Sequence, residues 1–274
     1  MATLIDGHPS DKVSALDRGL AYGDGIYRTV ELLNGVPRLW RWQWQRLVED
    51  CARLSLPCPD EALLLAELAA AAQGIERAVA KITLTRGLGQ RGYAMPADAV
   101  PTRIVTASPW GGYPAERYSD GVTVRRCDLT LSRQPLLAGI KHLNRLENVL
   151  ARSEWADPSV HEGLLFDEDG GVVEATMSNL FALKDGVLYT PRLDRAGVTG
   201  ALRAWLIDAV PALGLAMKEG SLAEVELLAA DALLLTNSLI GVWPVAAYRH
   251  AGGEARWRDF ELAHRLNARL AAEA

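Results

Sequence analysis

The spacing of apolar residues changes several times along the chain, and each change predicts an element. Thr3-Leu-Ile-Asp-Gly-His-Pro reads as a short strand and turn. Ala21-Tyr-Gly-Asp-Gly leads from a glycine-rich turn into a strand, with Asn34-Gly35 as a hairpin turn and Val36 to Leu39 as its partner. From Trp40 the period turns helical. Trp40, Trp44, Leu47, Val48, Cys51 and Leu54 share one stripe, with Arg46 and Arg53 to its side. Residues 60–73 predict a second helix, and Lys81 to Arg86 and Thr102 to Ala107 predict strands. Gly87-Leu-Gly-Gln-Arg-Gly92 matches G-x-G-x-x-G in letters. A dinucleotide site needs a helix to open there; Pro96 and the missing helical period predict a long mobile loop instead.

Ser108-Pro-Trp-Gly-Gly-Tyr-Pro-Ala is dense in Gly and Pro. It predicts a linker at 108–119 between a smaller domain at 1–107 and a larger one at 120–274. Val122 to Cys127 is a strand. Leu143, Leu146, Val149 and Leu150 then recur as one apolar helix face, with Lys141 just ahead of it. Gly163–Phe166, Val172–Ala175, Leu180–Lys184 and Val187–Thr190 predict a run of antiparallel strands turned by Asp169-Gly-Gly and Asp185-Gly186. That run disfavours a doubly wound sheet and points to an α/β protein of the α+β type. Pro191 to Gly200 leads into a helix bearing Leu202, Trp205, Leu206 and Ala209. Its N-terminal N–H groups at Val198 to Gly200 would be free to cradle a phosphate. Ser221-Leu-Ala-Glu224 reads as a capping box. Ala232 to Thr236 is a buried strand ending in Asn237-Ser238, and 257–272 is a last helix.

Composition narrows the class. Of 274 residues, 49% are hydrophobic and 23% charged, as in a globular protein with a substantial core. A net charge of −5 gives no basic footprint for nucleic acid. The first residues lack a signal peptide's basic and apolar regions, and the apolar runs at 61–72 and 225–235 are short and interrupted by acids, so no membrane span is expected. Three cysteines without a C-x-x-C pair fit a reducing, cytoplasmic setting. No G-x-S-x-G, H-E-x-x-H, P-loop or EF-hand pattern occurs, so no metal is expected.

The remaining chemistry centres on Lys141. A lysine kept dry beside a helix start loses the advantage of its charged form and becomes a nucleophilic amine. Glu174 on a strand, the helix start at Val198-Thr199 and the off-stripe Arg46 complete a set of four groups. Pyridoxal phosphate needs a lysine for its aldehyde, a carboxylate for its ring nitrogen, and an arginine with free N–H groups for its phosphate. Spacing alone does not establish it.

Tyr22-Gly-Asp-Gly, Gln45-Arg-Leu, Ile140-Lys-His-Leu-Asn-Arg-Leu-Glu, Val173-Glu, Ser178-Asn-Leu-Phe, Thr190-Pro-Arg-Leu-Asp-Arg-Ala-Gly-Val-Thr-Gly and Thr236-Asn-Ser together resemble the fold-type IV pyridoxal-phosphate enzymes. That group holds branched-chain and D-amino-acid aminotransferases and 4-amino-4-deoxychorismate lyases. Gly139-Ile-Lys-His-Leu-Asn-Arg-Leu-Glu and Arg86-Gly-Leu-Gly-Gln-Arg-Gly-Tyr look most like the lyases of bacterial folate synthesis. The resemblance implies two domains, an interdomain cleft, a homodimer and pyridoxal 5′-phosphate. It also implies elimination of pyruvate from aminodeoxychorismate to give 4-aminobenzoate. By position, Lys141 matches the cofactor's lysine, Glu174 the partner of its ring nitrogen, and Arg46 the phosphate arginine. Val198 and Thr199 match the phosphate-binding helix start, and Thr236 with Asn237 a second phosphate or substrate loop. Tyr22, Thr29, Arg91 and Asn237 are candidates for the substrate carboxylates. Two departures from the aminotransferases stand out. Arg145 and Leu146 lie where a tyrosine often follows the lysine, and the Arg-x-His pair of D-amino-acid aminotransferases is absent around Arg103-Ile-Val. An aminotransferase acting on D-amino or branched-chain amino acids is the alternative.

Overall fold

The structure, a computed structural model, describes residues 2–273. The chain divides into two compact units. The first runs to Gly112 and takes in Ile140–Asn144; the second comprises Tyr113–Gly139 and the chain from Arg145 onward.

In chain order the first unit contains β1 (Ala2–Ile5), β2 (His8–Pro9), α1 (Arg18–Tyr22), β3 (Gly25–Leu33) and β4 (Val36–Pro37). It continues with α2 (Trp40–Arg53), α3 (Glu61–Ala71), β5 (Arg77–Thr85) and β6 (Thr102–Pro109). The six strands form one antiparallel sheet ordered β2-β1-β6-β5-β3-β4. Alternation along β3 and β5 sends Ile26, Val30, Leu32, Ile82 and Leu84 into a core shared with Leu47 and Cys51 of α2 and Leu64 and Leu68 of α3. The opposite face keeps Tyr27 and Thr29 of β3 and Lys81 and Thr83 of β5, which pair as Tyr27↔Thr83 and Thr29↔Lys81. One side of the sheet is therefore core and the other polar. Asn34 and Gly35 both have positive φ, as the two-residue hairpin requires.

No helix opens on the 87–92 glycines. Gly87 has φ +78°, and a Cβ there would meet the Val100 carbonyl oxygen at 1.9 Å. A Cβ at Gly89 would strike the Arg18 side chain at 2.6 Å. These glycines let the loop lie close against its own unit, and the dinucleotide match is one of letters alone. Within the stretch expected as linker, Ser108 and Pro109 end β6, and Glu116–Ser119 form a short helix, α4.

The second unit continues with β7 (Val122–Leu131), α5 (Leu146–Arg152), β8 (Glu162–Asp167), β9 (Val172–Ala175), β10 (Asn179–Lys184) and β11 (Val187–Pro191). Then follow α6 (Ala201–Ala209), β12 (Ala216–Gly220), α7 (Glu224–Leu228), β13 (Ala232–Asn237), β14 (Gly241–His250), β15 (Gly253–Arg256) and α8 (Glu261–Ala271). Eight strands run in the order β12-β11-β10-β13-β14-β7-β8-β9, with β15 added on β14. The β8–β9 and β10–β11 hairpins form as expected, but they are not neighbours, and β7–β8, β14–β7 and β11–β12 are parallel. The connection carrying α5 accounts for one of these pairs, since parallel neighbours need a crossover that a tight turn cannot supply.

Three local readings are corrected. The apolar period at 143–150 does belong to a helix, but α5 starts at Leu146, and Leu146, Val149 and Leu150 are 76%, 60% and 59% exposed. This face covers no core of its own unit. The first turn of α7 is closed by Glu226, whose carboxylate accepts the Ala223 N–H at 2.7 Å. Ser221 is not its cap: the helix begins at Glu224 with Ala223 in the capping position, and the Glu224 carboxylate goes to Arg126 and the Tyr248 hydroxyl. Trp257 lies before α8, anchored in the core by donation from Nε1 to the Ala230 carbonyl. Among the described residues no helix is long and apolar enough to cross a membrane.

Candidate active site

Lys141 lies on a short extended segment, not on a helix. In the first unit Tyr27 N–H donates to the Lys141 carbonyl at 3.0 Å, Leu143 N–H donates to the Gly25 carbonyl at 3.0 Å, and His142 bridges Ile26. Residues 141–143 thus add a few residues of antiparallel pairing to the start of β3. Gly25 is fitted to this: a Cβ there would meet the Leu84 carbonyl at 2.3 Å and Leu143 at 2.9 Å. The Lys141 side chain is half-buried, and its Nζ sits 4.4 Å from the centre of the Tyr27 ring. Lys81 Nζ lies 4.9 Å from the centre of the same ring. Two amines therefore share one aromatic ring of the polar sheet face, where cation–π attraction holds each.

Beneath the sheet, the Lys141 N–H donates to Asp50 Oδ2 at 3.2 Å, and that oxygen also accepts from Arg28 Nη2. Arg28 and Asp50 are both buried. Burial holds the Asp50 carboxyl above its usual range despite Arg28, and pulls the Arg28 guanidinium down despite Asp50. Arg46, one turn before Asp50 on α2, is half-buried and paired through Nη1 with Glu49 at 2.8 Å. Its Nε is a buried donor with no partner.

The substrate candidates of the first unit differ in their surroundings. Thr29 stands beside Lys81 on the polar face. The Tyr22 hydroxyl accepts the Gly92 N–H at 3.0 Å, and its ring packs on Tyr93 at 5.3 Å, so Tyr22 holds the 87–93 loop. Arg91 is exposed on that loop. Arg18 braces it from below, donating to the Gly92 and Tyr93 carbonyls and to Asp24. Arg103 is committed to Glu67 at 2.9 Å.

In the second unit Glu174 is buried on β9, and its Oε2 accepts the Val198 N–H at 2.9 Å and Asn179 Nδ2 at 3.3 Å. Asn179 also donates to the Val198 carbonyl at 2.7 Å and accepts the Gly200 N–H at 3.1 Å. Thr199 N–H donates to the Gly139 carbonyl at 2.9 Å. The N–H groups at Val198, Thr199 and Gly200, expected free, are therefore all engaged. Folding the loop back across Glu174 and Asn179 consumes them. What remains at this helix start is the half-buried Thr199 side chain and the first turn of α6, which no side chain caps. Thr236, opposite Asn179 in the sheet, is 1% exposed, and its Oγ1 is buried without a partner. Asn237 spends its side chain on the fold. Oδ1 accepts from Leu239 and Ile240 N–H, and Nδ2 donates to the Met177 carbonyl at 2.9 Å. Its expected contact with substrate has no support in this geometry.

Glu162 is the feature of this unit that sequence reading missed. It is fully buried, and four donors converge on its carboxylate: Gly163 N–H and Thr176 Oγ1 on Oε1, Met177 N–H and Ser178 Oγ on Oε2. Burial nonetheless raises its pKa. It shapes the turn between Glu174 and Asn179. The missed residues of the first unit are Tyr27, Lys81 and Asp50. Period-two alternation along β3 and β5 already placed Tyr27 and Lys81 on one polar face, given the register; Asp50 left no signal, since a charge on a helix reads as solvated.

The fold and the chain as a whole have counterparts among known proteins. Residues 25–248 match the amino-transferase class IV family, and the chain belongs to that family. It is 32% identical to the aminodeoxychorismate lyase of Vibrio harveyi over 269 residues, covering 97% of this chain and 98% of the relative. A crystal structure of 4-amino-4-deoxychorismate lyase from Pseudomonas aeruginosa superposes with a TM-score of 0.92 at 43% identity, covering 98% of each chain. A D-alanine aminotransferase of Listeria monocytogenes is 28% identical over 255 residues, covering 89% of this chain and 86% of the relative.

Proposed function

We propose that the protein is a pyridoxal-phosphate-dependent 4-amino-4-deoxychorismate lyase, releasing pyruvate from aminodeoxychorismate and leaving 4-aminobenzoate for folate synthesis. The observation that carries the reading is the pair of amines on one tyrosine ring. Lys141 supplies the nucleophile, and Lys81 a fixed cation beside it for a substrate bearing carboxylates. Full-length similarity to two aminodeoxychorismate lyases favours that activity over transamination.

The residues present fit the cofactor. A phosphate dianion needs donors, and both Arg46 Nε and Thr236 Oγ1 are buried polar atoms without partners. Glu174, buried and fixed by two hydrogen bonds, is a carboxylate of the kind that keeps a pyridine nitrogen protonated. Lys141, Arg46, Glu174, Thr199 and Thr236 would hold the group, with Val198 acting through its bond to Glu174 and Asn237 through its hold on the turn.

Bound there, pyridoxal phosphate supplies an electron sink for the charge left when a carbon beside the substrate nitrogen loses its proton. Lys141 Nζ removes that proton, and Glu174 keeps the compensating positive charge at the ring nitrogen. Loss of the proton and of the enolpyruvyl oxygen from the substrate ring makes that ring aromatic, which drives the elimination. Lys141 then returns the proton to the departing three-carbon unit, giving pyruvate. Lys81 and Thr29 bind and orient a carboxylate, and Arg91 reaches the substrate from its loop.

We further read the enzyme as a cytoplasmic homodimer. The exposed Leu136, Leu146, Val149 and Leu150 support a subunit face, and the free thiols of Cys51, Cys58 and Cys127 support a reducing compartment. The test is incubation with aminodeoxychorismate alone, following pyruvate and 4-aminobenzoate, beside a panel of D-amino and branched-chain amino acids with 2-oxoglutarate. Equal release of both products without any keto acid is expected. Turnover of the panel only would replace the lyase by an aminotransferase.

A further inference from the structure

We propose that Asp50, locked by Arg28, is a positioning residue for Lys141, fixing the reactive lysine's backbone from the helix that carries Arg46. The proposal rests on the cofactor-binding reading above and adds two residues that its chemistry does not call for.

The pairing of residues 141–143 with β3 uses the Lys141 carbonyl and the Leu143 N–H. In a regular antiparallel pair the Lys141 N–H would face the Tyr27 carbonyl beside it; here it is drawn instead to Asp50. Inside the unit an unpaired N–H there would be costly. Asp50 Oδ2 meets it at 3.2 Å, while the same oxygen takes Arg28 Nη2. With the side chains of Arg28 and Asp50 only 2% and 5% exposed, the carboxylate has no water into which to swing. Arg28 follows Tyr27 on β3, so two consecutive residues hold the lysine at both ends: the Tyr27 ring under Nζ, and Arg28 through Asp50 at its N–H.

A buried ion pair is a poor way to stabilise a fold, because apolar residues of similar size usually do as well or better. Apolar residues cannot accept the lysine's N–H, however. Asp50 also lies one turn beyond Arg46, on the same side of α2. One rigid helix would therefore set the distance between the arginine that takes the phosphate and the lysine that takes the aldehyde.

Replacing Asp50 alone would strand a buried arginine, so the test uses two double variants without charge at either position. Arg28→Met with Asp50→Asn keeps an acceptor for the Lys141 N–H; Arg28→Met with Asp50→Leu does not. We expect similar melting temperatures. The Leu pair should bind pyridoxal phosphate about tenfold more weakly than the Asn pair and show about tenfold lower kcat, with KM for substrate little different, the scale of one hydrogen bond lost. Equal cofactor affinity and kcat in the two pairs would overturn the proposal. Should the Leu pair fail to fold, amide exchange on the wild-type apoprotein decides: protection of the Lys141 N–H comparable with Leu143 supports the proposal, and rapid exchange removes it. Wild-type protein that takes up no cofactor sinks both readings. Protein that binds cofactor but leaves aminodeoxychorismate unchanged sinks only the substrate, and the cofactor comparison still decides the role of Asp50.

Discussion

The two units hold their site residues by different means. In the first, charge pairs do it: Arg28 with Asp50 at Lys141, and Arg18 and Arg86 on Asp24 at the 87–93 loop. In the second, neutral donors do it. Asn179 ties Glu174 to the 198–200 loop, Asn237 ties β13 to Met177, Asn148 donates to the Thr176 carbonyl, and the buried Glu162 is satisfied by two hydroxyls and two N–H groups. An amide satisfies backbone groups in both directions without the desolvation cost of a charge, which suits loops that fold back on themselves. A charge pair reaches further and binds harder, but it answers to pH. The site should therefore fail in two distinguishable ways.

The largest effect tests what both devices serve. Lys141→Ala should cost about 10³-fold or more in kcat, the range of a lost general base, while melting within a few degrees of wild type. The small change in melting follows because the half-buried side chain contributes little to the core, and no adduct should be trapped by borohydride, since the amine that would form the reducible bond is gone. Next is Asp24→Asn, which leaves Arg18 and Arg86 facing a neutral amide in a buried cluster. About 3 kcal/mol of stability should be lost at pH 7. Burial raises the Asp24 pKa, but the hydrogen bonds from Arg86 and Arg18 outweigh it and hold the carboxyl below 3.8. A depressed carboxylate stabilises above its unfolded pKa, and that contribution disappears as the pH falls through the folded one. Denaturation from pH 7 to pH 3 should show the gap between wild type and Asp24→Asn closing in acid; a gap of constant size would mean the arginines do not act through charge.

This contrast also marks what was legible in the sequence. The helical stripe from Trp40 was readable because the helix buries one side against its neighbours, and the hairpin at Asn34-Gly35 because its turn needs residues that take positive φ. Sheet order was not, since β7–β8 and β11–β12 are parallel pairs set by packing between distant segments. Lys141, Glu174, Arg46 and Thr236 were singled out through the motifs around them. That Lys141 belongs to the first unit was invisible, because it depends on hydrogen bonds with β3 more than a hundred residues earlier. The free N–H groups at 198–200 were misjudged for a related reason: a helix start shows its own donors, while Glu174, Asn179 and Gly139 that take them lie elsewhere in the chain. Asp50 and Glu162 left no signal in the sequence, since acidic residues are ordinarily solvated and only contacts made on folding bury these two.

Glu162→Gln probes the neutral device directly. Either orientation of the amide sets an NH₂ against one backbone N–H, of Gly163 or of Met177, which loses its acceptor; the hydroxyls of Thr176 and Ser178 can turn and accept. About 2 kcal/mol should be lost. The pH dependence should have the opposite sign to that of Asp24→Asn. Burial raises the Glu162 pKa above 4.5, so its contribution is fully present below the unfolded pKa and declines as the pH rises through the folded one. The gap to wild type should therefore widen in acid. Parallel pH profiles for the two variants would abolish the distinction between the units.

Asn237→Ala is the smallest expected effect and the sharpest about role. The turn it organises is half-exposed, so water can replace its bonds to Leu239, Ile240 and Met177, and stability should fall by about 1 kcal/mol. Because Thr236 precedes it, the loosened turn should lower cofactor affinity by roughly fivefold, the same 1 kcal/mol seen in binding. The KM for aminodeoxychorismate should hardly move, since both ends of the Asn237 side chain are already spent inside the protein. A variant that binds cofactor normally but shows a raised KM would return Asn237 to the substrate, and would mean that the amide leaves Met177 when the site is filled.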